Sequence, residues 1–574
     1  MSQGTESGAS HRSETHRSLR IPEVVNQICS QLDSVPGAGA ATLATLARTS
    51  SLFHDAALDA LWSRQNTLMN LIYCLPSDLF EYQDLRFLFG TGLLTINRPI
   101  IASDWGRVLK YSGRVKCLKL TQDREPNLLS FFQALRLCVP GDYLLPNLQV
   151  LLWGFSDANS IFIIAKSLLP FIDLFLGPRI ISIGIGSLNR KAHYSLLPDI
   201  ARRYPALTGV GIGTDDEDDG EEYYEEDDES PRVRRIPPAD QLSAFVRALT
   251  HAENLAVGML DLPALMHVGK LETLRSLAAE LPPSVSFPPE HRLRALFPCL
   301  HVGIIKINKG DILSLTQFVR TWNSPRLEYF NVEFKGDDRR NFTGSLFQQR
   351  TEELNHLLGE HCIPDSLRTF RFHISDGWRD RGSFVYPGHL LRPLSCFSNL
   401  VSVSIGVLHG FDIDDVVLSD LARAWPHLQE LSLATEKHES TPRATLCGLQ
   451  ALAQHCAKLR TVEITFDATN VPPVTTDEPQ IVQRNLVSLN VAFSPIAAAF
   501  PVARYLSGTF VNLKEIETHF ASQYQSKWTE VGDILELIEV RADERARERN
   551  SALQNAASAT APITLEPSSS QLPL

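Results

Sequence analysis

A hexapeptide of the form Leu-x-x-apolar-x-apolar returns so often along these 574 residues that it restricts the fold severely. Its clearest copies are LEYFNV from Leu327, LRTFRF from Leu367, LVSVSI from Leu400, LQELSL from Leu428, LRTVEI from Leu459, LVSLNV from Leu486 and LKEIET from Leu513. Successive starts differ by 40, 33, 28, 31, 27 and 27 residues, which leaves room for one strand and one helix per unit. Earlier copies begin at Val115, Leu148, Ile180, Leu207 and Leu300, with weaker ones near Leu255 and Leu274. Alternation inside each hexapeptide is a strand signal, whereas VVLSDLARAW and LCGLQALAQHC between copies have helical spacing.

This pattern resembles leucine-rich repeats of an irregular kind, lacking the usual Asn after the strand. The resemblance implies a solenoid over residues 113–530, with a parallel sheet on its concave side. Side chains between the buried positions then point outward: Tyr329, Asn331, Thr369, Arg371, Ser402, Ser404, Glu430, Ser432, Thr461 and Glu463, followed by Ser488 and Asn490. Such a mixed polar strip suits recognition of a protein substrate. A solvated face with no partner is the plainer reading of each residue.

Two helical stretches precede the repeats. RIPEVVNQICSQLDS sets Ile21, Val25, Ile28 and Leu32 on one face, with Pro22 in the first turn, where its missing N–H costs nothing. VPGAGA breaks that helix. The following stretch predicts one amphipathic helix, from Leu43 through Leu46, Ser50, Phe53 and Ala57 to Leu61. Residues 21–62 hold too few large apolar side chains to offset their own ordering entropy, so this module requires a partner surface. The surface is either the chain's own repeats or another protein.

The order Ile-Pro-Glu, QICSQLD, TLATLARTSSLFHDAALDALW and NTLMNLIYCLP strongly resembles an F-box, particularly the fungal version, over residues 19–76. The resemblance implies that Ile21 and Pro22 stand where the family has Leu-Pro, and that Ile28 and Leu32 are the first-helix apolar positions. Leu43, Leu46, Phe53, Leu61 and Trp62 are the later ones. Ile21 and Phe53 depart from the usual Leu and Trp, and both remain large and apolar. By resemblance these residues dock a Skp-type adaptor carried by a cullin-RING ubiquitin ligase, the apolar stripe being left bare by its own chain. The expected fold is thus α/β, an N-terminal helical F-box-like module followed by an irregular leucine-rich-repeat solenoid. The expected function is that of a substrate-recognition subunit of such a ligase. The alternative is a non-catalytic repeat scaffold without a ubiquitin-ligase role.

Charge narrows the partners. Twelve of the 66 acidic residues fall in DDEDDGEEYYEEDDE (215–229); the 54 that remain balance 54 Lys and Arg. A nucleic-acid binder needs a basic footprint that is missing here. The acidic stretch reads as a solvated insertion, 214–235, between repeats. Nine cysteines never form C-x-x-C, and seventeen histidines form no H-E-x-x-H, so no metal or cofactor is expected. SIGIGSLNRK and TGVGIGTDD lack phosphate-loop spacing and coincide with repeat strands. No catalytic motif is present, and the chain is expected not to be an enzyme. SIFIIAKSLLPFIDLFLGP is interrupted by Lys166, Pro170 and Asp173, so no membrane span is expected, and the location is cytoplasmic or nuclear. The remaining expectations are disordered residues 1–18, a helical connector over 77–112, a capping helix over 531–549 and a disordered tail over 550–574.

Overall fold

A computed structural model describes residues 21–33, 38–83, 93–121, 128–155, 168–186, 194–213, 239–282, 287, 296–308, 312–335, 344–375, 385–436, 441–473 and 481–559. The N-terminal 18 residues, the acidic insertion and the last 15 residues lie outside them. The chain divides into two compact units, residues 1–280 and 281–574.

The first unit opens with three helices, α1 (Pro22–Asp33), α2 (Gly39–Thr49) and α3 (His54–Ser63). Val25, Cys29, Leu43, Ala47, Ala57 and Leu58 form their shared core. A Cβ at Gly39 would lie 2.2 Å from the Leu32 carbonyl oxygen, so only glycine lets α2 begin against the end of α1. The single helix expected from Leu43 to Leu61 is two. Thr45 and Thr49 return their hydroxyls to carbonyls four residues back, at 2.9 Å each, and Ser50 is extended at φ −139°, ψ 120°. Hydroxyl side chains that bond the local backbone favour a break, which the spacing of apolar residues does not register.

Helix α3 runs into strand β1 (Arg64–Gln65). Strands β2 (Phe80–Gln83) and β3 (Leu93–Ile96) then pair antiparallel, so the stretch expected to be a helical connector contains a hairpin. FEYQ alternates apolar and polar residues, the period of a strand, whereas LLTI, with two adjacent leucines, does not. Among the described residues there, a 3₁₀ turn (Ala102–Trp105) and α4 (Gly106–Ser112) are helical. The repeats follow as β4 (Cys117–Thr121), β5 (Val150–Phe155), β6 (Ser182–Ile185), β7 (Gly209–Ile212), β8 (Asn254–Met259) and β9 (Ser276–Leu281). The sheet order in this unit is β1-β4-β5-β6-β7-β8-β9, all parallel. The glycine stretches are strands: a Cβ at Gly209 would meet Ser182 Oγ at 2.4 Å and Cβ at 3.0 Å, so this glycine serves strand packing.

The second unit repeats the scheme with β10 (Val302–Asn308), β11 (Tyr329–Lys335), β12 (Thr369–Ser375), β13 (Tyr386–Pro387), β14 (Ser402–Val407), β15 (Phe411–Asp412), β16 (Glu430–Thr435), β17 (Thr461–Glu463), β18 (Ser488–Asn490) and β19 (Glu515–Glu517). Apart from the small pair β13 and β15, these form one parallel run in sequence order. Helices α5 (Gly344–His361), α6 (Asp415–Ala424), α7 (Leu446–His455) and α8 (Ala499–Thr509) supply most crossovers, as parallel pairing requires. Asp414 and Thr445 cap α6 and α7, accepting from Val417 N and Cys447 N. The architecture is mixed α/β with leucine-rich-repeat-like strand stacking.

The leading Leu of each hexapeptide, from Leu327 to Leu513, is buried, as are the alternate strand residues such as Phe330, Val332, Phe370, Phe372, Val403 and Ile405. A second ladder runs one residue earlier. Asn147, Asn399, Asn485 and Asn512 each precede a hexapeptide Leu and donate their amides to Gly113 O, Asp365 O, Ala457 O and Arg484 O, at 2.6–3.0 Å. Each bond ties one repeat to the one before it.

The C-terminal helix α9 spans Gln525–Ala559, beginning before and ending beyond the expected 531–549, so residues 550–559 are helical rather than tail. Trp528, Val531 and Leu535 are buried, and Trp528 Nε1 donates to Ser494 O at 2.8 Å. Those residues cover the last repeat.

Candidate functional site

Two surfaces carry the candidate residues. On the N-terminal helices, Ile21 (47% exposed) and Pro22 are open to solvent. Ile28, Leu32, Leu46, Phe53, Leu61 and Trp62 are half-buried. Leu43 is a correction: it is fully enclosed in the three-helix core, where it supports the surface instead of forming it. Trp62 is turned toward its own chain, stacked on Tyr111 of α4. Leu52, 39% exposed between α2 and α3, extends the apolar surface. Reading residues 43–61 as one continuous helix concealed it, because Leu52 then falls off the stripe.

The helices are joined to the first repeat. Lys116 N donates to Ser63 O at 2.9 Å, and β1 pairs with β4 as the edge strand of the sheet. Arg114 bridges to Asp55 at 2.9 Å and to Asp59. The module therefore covers the edge of β4, as well as presenting apolar side chains outward.

On the second unit, strand register aligns the sheet-face residues in two rows. One runs Tyr329, Thr369, Ser402, Glu430, Thr461, Ser488 and Glu515; the other runs Asn331, Arg371, Ser404, Ser432, Glu463, Asn490 and Glu517. All ten residues taken as substrate-facing are in these rows, because parallel pairing carries the period-2 alternation across every strand. Asn331 and Ser402 are each only 7% exposed; the other eight are half-buried or exposed.

These side chains hold one another. Ser402 Oγ donates to Glu430 at 3.0 Å, Ser432 Oγ to Glu463 at 2.5 Å and Asn490 Nδ2 to the other Glu463 oxygen at 3.2 Å. Ser404 Oγ lies 3.0 Å from His373 Nε2. Burial holds the His373 imidazole below its ordinary pKa, and the Arg371 charge adds to this, against Glu333 and Glu463. His373 was not anticipated from the sequence, although it is two residues beyond Arg371 on the same face. Charge divides along the rows. Lys306, Glu333 and Arg371 lie on β10–β12, whereas β16–β19 present Glu430, Glu463, Glu515 and Glu517.

On the sheet face of the first unit, small and apolar residues (Leu152, Gly184, Gly211, Ala256 and Ala278) share the register rows with Lys119, Ser182, Asn254 and Ser276. Among the described residues, no group of three or more His, Cys, Asp and Glu could hold a metal ion, and no helix is long and apolar enough to cross a membrane.

No family model matches the chain, and no curated protein matches it in sequence. Among solved structures it is similar to an internalin from Listeria monocytogenes, at 15% identity over 66% of this chain and 82% of that one, with a TM-score of 0.30. It is also similar to the Rad7 and Elc1 complex in yeast, at 16% identity over 74% of this chain and 92% of that one, with a TM-score of 0.34.

Proposed function

We propose that this chain is a non-catalytic scaffold for protein–protein interaction whose recognition surface is the open sheet face of the second unit. The observation that carries this reading is the pair of register-aligned rows, where hydroxyl and amide donors hold Glu430 and Glu463 in place before any partner arrives. Preorganised polar groups lose less entropy on binding, which favours recognition. Affinity capture with the full chain tests it. Partners retained by the wild type should be lost when Ser432→Trp places a large side chain on the face, and retention by that variant contradicts the reading.

A finer reading follows from the N-terminal helices. Ile21, Pro22 and Leu52 are exposed apolar groups beside a half-buried stripe, which supports docking of a Skp-type adaptor and, through it, a cullin-RING ubiquitin ligase. In that case the scaffold is a substrate receptor that holds its target at high effective concentration near the ligase. Retention of a purified Skp-type adaptor, and its loss on Ile21→Asp with Leu52→Asp, is the expected outcome. If wild type fails to retain adaptor, the helices serve only to cover the sheet edge.

A further inference from the structure

Two buried polar atoms on the open face of the second unit have no hydrogen-bond partner: Oδ1 of Asn331 and Nε of Arg371. The two residues are register partners on β11 and β12, which puts them side by side at about 5 Å. The Asn331 amide is oriented by its neighbour, since Nδ2 donates to Glu333 Oε1 at 3.1 Å, and a flipped amide would press Oδ1 against that carboxylate. Oδ1 is therefore held as an acceptor lacking a donor. Beside it, Arg371 Nε is a donor lacking an acceptor, while its guanidinium lies over the Tyr329 ring at 5.9 Å from the centroid. Buried polar groups in native proteins are nearly always paired, so two orphans at adjacent positions on one face require a cause.

We propose that Asn331 and Arg371 are the anchor of the recognition face, and that they take a primary carboxamide, the side chain of an asparagine or glutamine in a protein partner. The proposal rests on the reading of this face as a recognition surface. A primary carboxamide presents its oxygen and one N–H along a single edge, so it can accept from Nε and donate to Oδ1 together. A trans peptide bond presents those groups on opposite edges and serves only one of them. A carboxylate satisfies Arg371 but brings no hydrogen to Asn331 and adds a second negative charge beside Glu333. An ammonium serves Asn331 and is repelled by Arg371. On docking, the guanidinium moves off the Tyr329 ring, a loose contact at that distance, and the carboxamide enters beneath it.

Fluorescein-labelled (Gln-Ser)6, (Glu-Ser)6, (Lys-Ser)6 and (Met-Ser)6 peptides, titrated against the full chain by anisotropy, test this. The glutamine peptide should bind about tenfold more tightly than the other three, because a site built from paired hydrogen-bonding groups rejects analogues that leave them unpaired. Asn331→Leu and Arg371→Met should each abolish that preference, while Val416→Ala, on α6 and off the sheet face, leaves it intact. Arg371→Lys keeps the charge without an Nε and should also lose the preference, which provides a variant with little risk to folding. Equal binding of the four peptides, or a preference that survives the anchor variants, overturns the proposal. A captured partner that is lost on Ser432→Trp but kept by the anchor variants overturns the anchor alone. A partner kept by Ser432→Trp overturns the reading of the face itself.

Discussion

Trp62 and Tyr111 stack with ring centroids 4.6 Å apart and planes 14° from parallel, joining the last helix of the N-terminal module to α4 beside the first repeat. Offset aromatic pairs contribute about 1 kcal/mol beyond the area they bury. Trp62→Ala is therefore expected to destabilise the first unit by about 2 kcal/mol, given half-burial. A double-mutant cycle with Tyr111→Ala, followed by urea unfolding, should return a coupling of about 1 kcal/mol. Additive effects would mean that the two rings are neighbours without mutual stabilisation.

The asparagines before the hexapeptides stitch adjacent repeats. Asn485 Nδ2 donates to Ala457 O at 2.7 Å, 28 residues back. Asn485→Ala should cost about 1 kcal/mol, the net worth of one hydrogen bond near the surface. Hydrogen exchange should rise locally in β17 and β18 rather than throughout the unit, since repeat stability is transmitted between neighbours.

His373 should titrate below its unperturbed value of about 6.5, because burial and then the Arg371 charge disfavour the imidazolium. Arg371→Met removes one of those causes and should raise the midpoint, followed by NMR of the ring protons. The stability consequence has a definite sign. A histidine with a depressed native pKa is bound by fewer protons folded than unfolded, so its contribution is full above the unfolded pKa and is lost as pH falls through the folded one. His373→Gln should flatten the stability profile on the acid side of neutrality and leave it unchanged above.

Trp528 closes the last repeat: it is fully buried, its ring lies 5.8 Å from Phe466 and its N–H reaches Ser494 O. Trp528→Ala should cost about 3–5 kcal/mol. Truncation after Val540, which is 48% exposed, should leave the thermal midpoint of the second unit unchanged, because among the described residues of α9 the buried side chains, Trp528, Val531 and Leu535, precede it. A large loss on that truncation would place the cap farther along α9 than Leu535.

The strands were legible because the hexapeptide combines two local signals, a leading Leu that is enclosed and a period-2 alternation. Parallel pairing then propagates the outward residues into rows without further information. The break between α2 and α3 was not legible from apolar spacing, since Thr45 and Thr49 act through hydroxyl bonds to the backbone and Ser50 through its extended conformation. The hairpin β2–β3 was hidden by the same preference for helical readings in a Leu-rich stretch. Leu43 and Leu46 carry the same residue type on the same helix, yet one is fully enclosed and the other half-buried at the edge of the core. Only the positions of α1 and α3 decide between them. Asn331 and Arg371 looked like any polar pair; their orphaned atoms depend on side-chain packing around Glu333 and Tyr329, which no spacing reports.

Site-specific photo-crosslinking in cells tests the central claim most directly, with benzoylphenylalanine placed at Glu515, exposed at the end of the sheet-face row, and at Val416, 63% exposed on α6. A discrete crosslinked partner is expected from position 515 and none from 416. Crosslinks of equal yield from both positions, or from 416 alone, would contradict it.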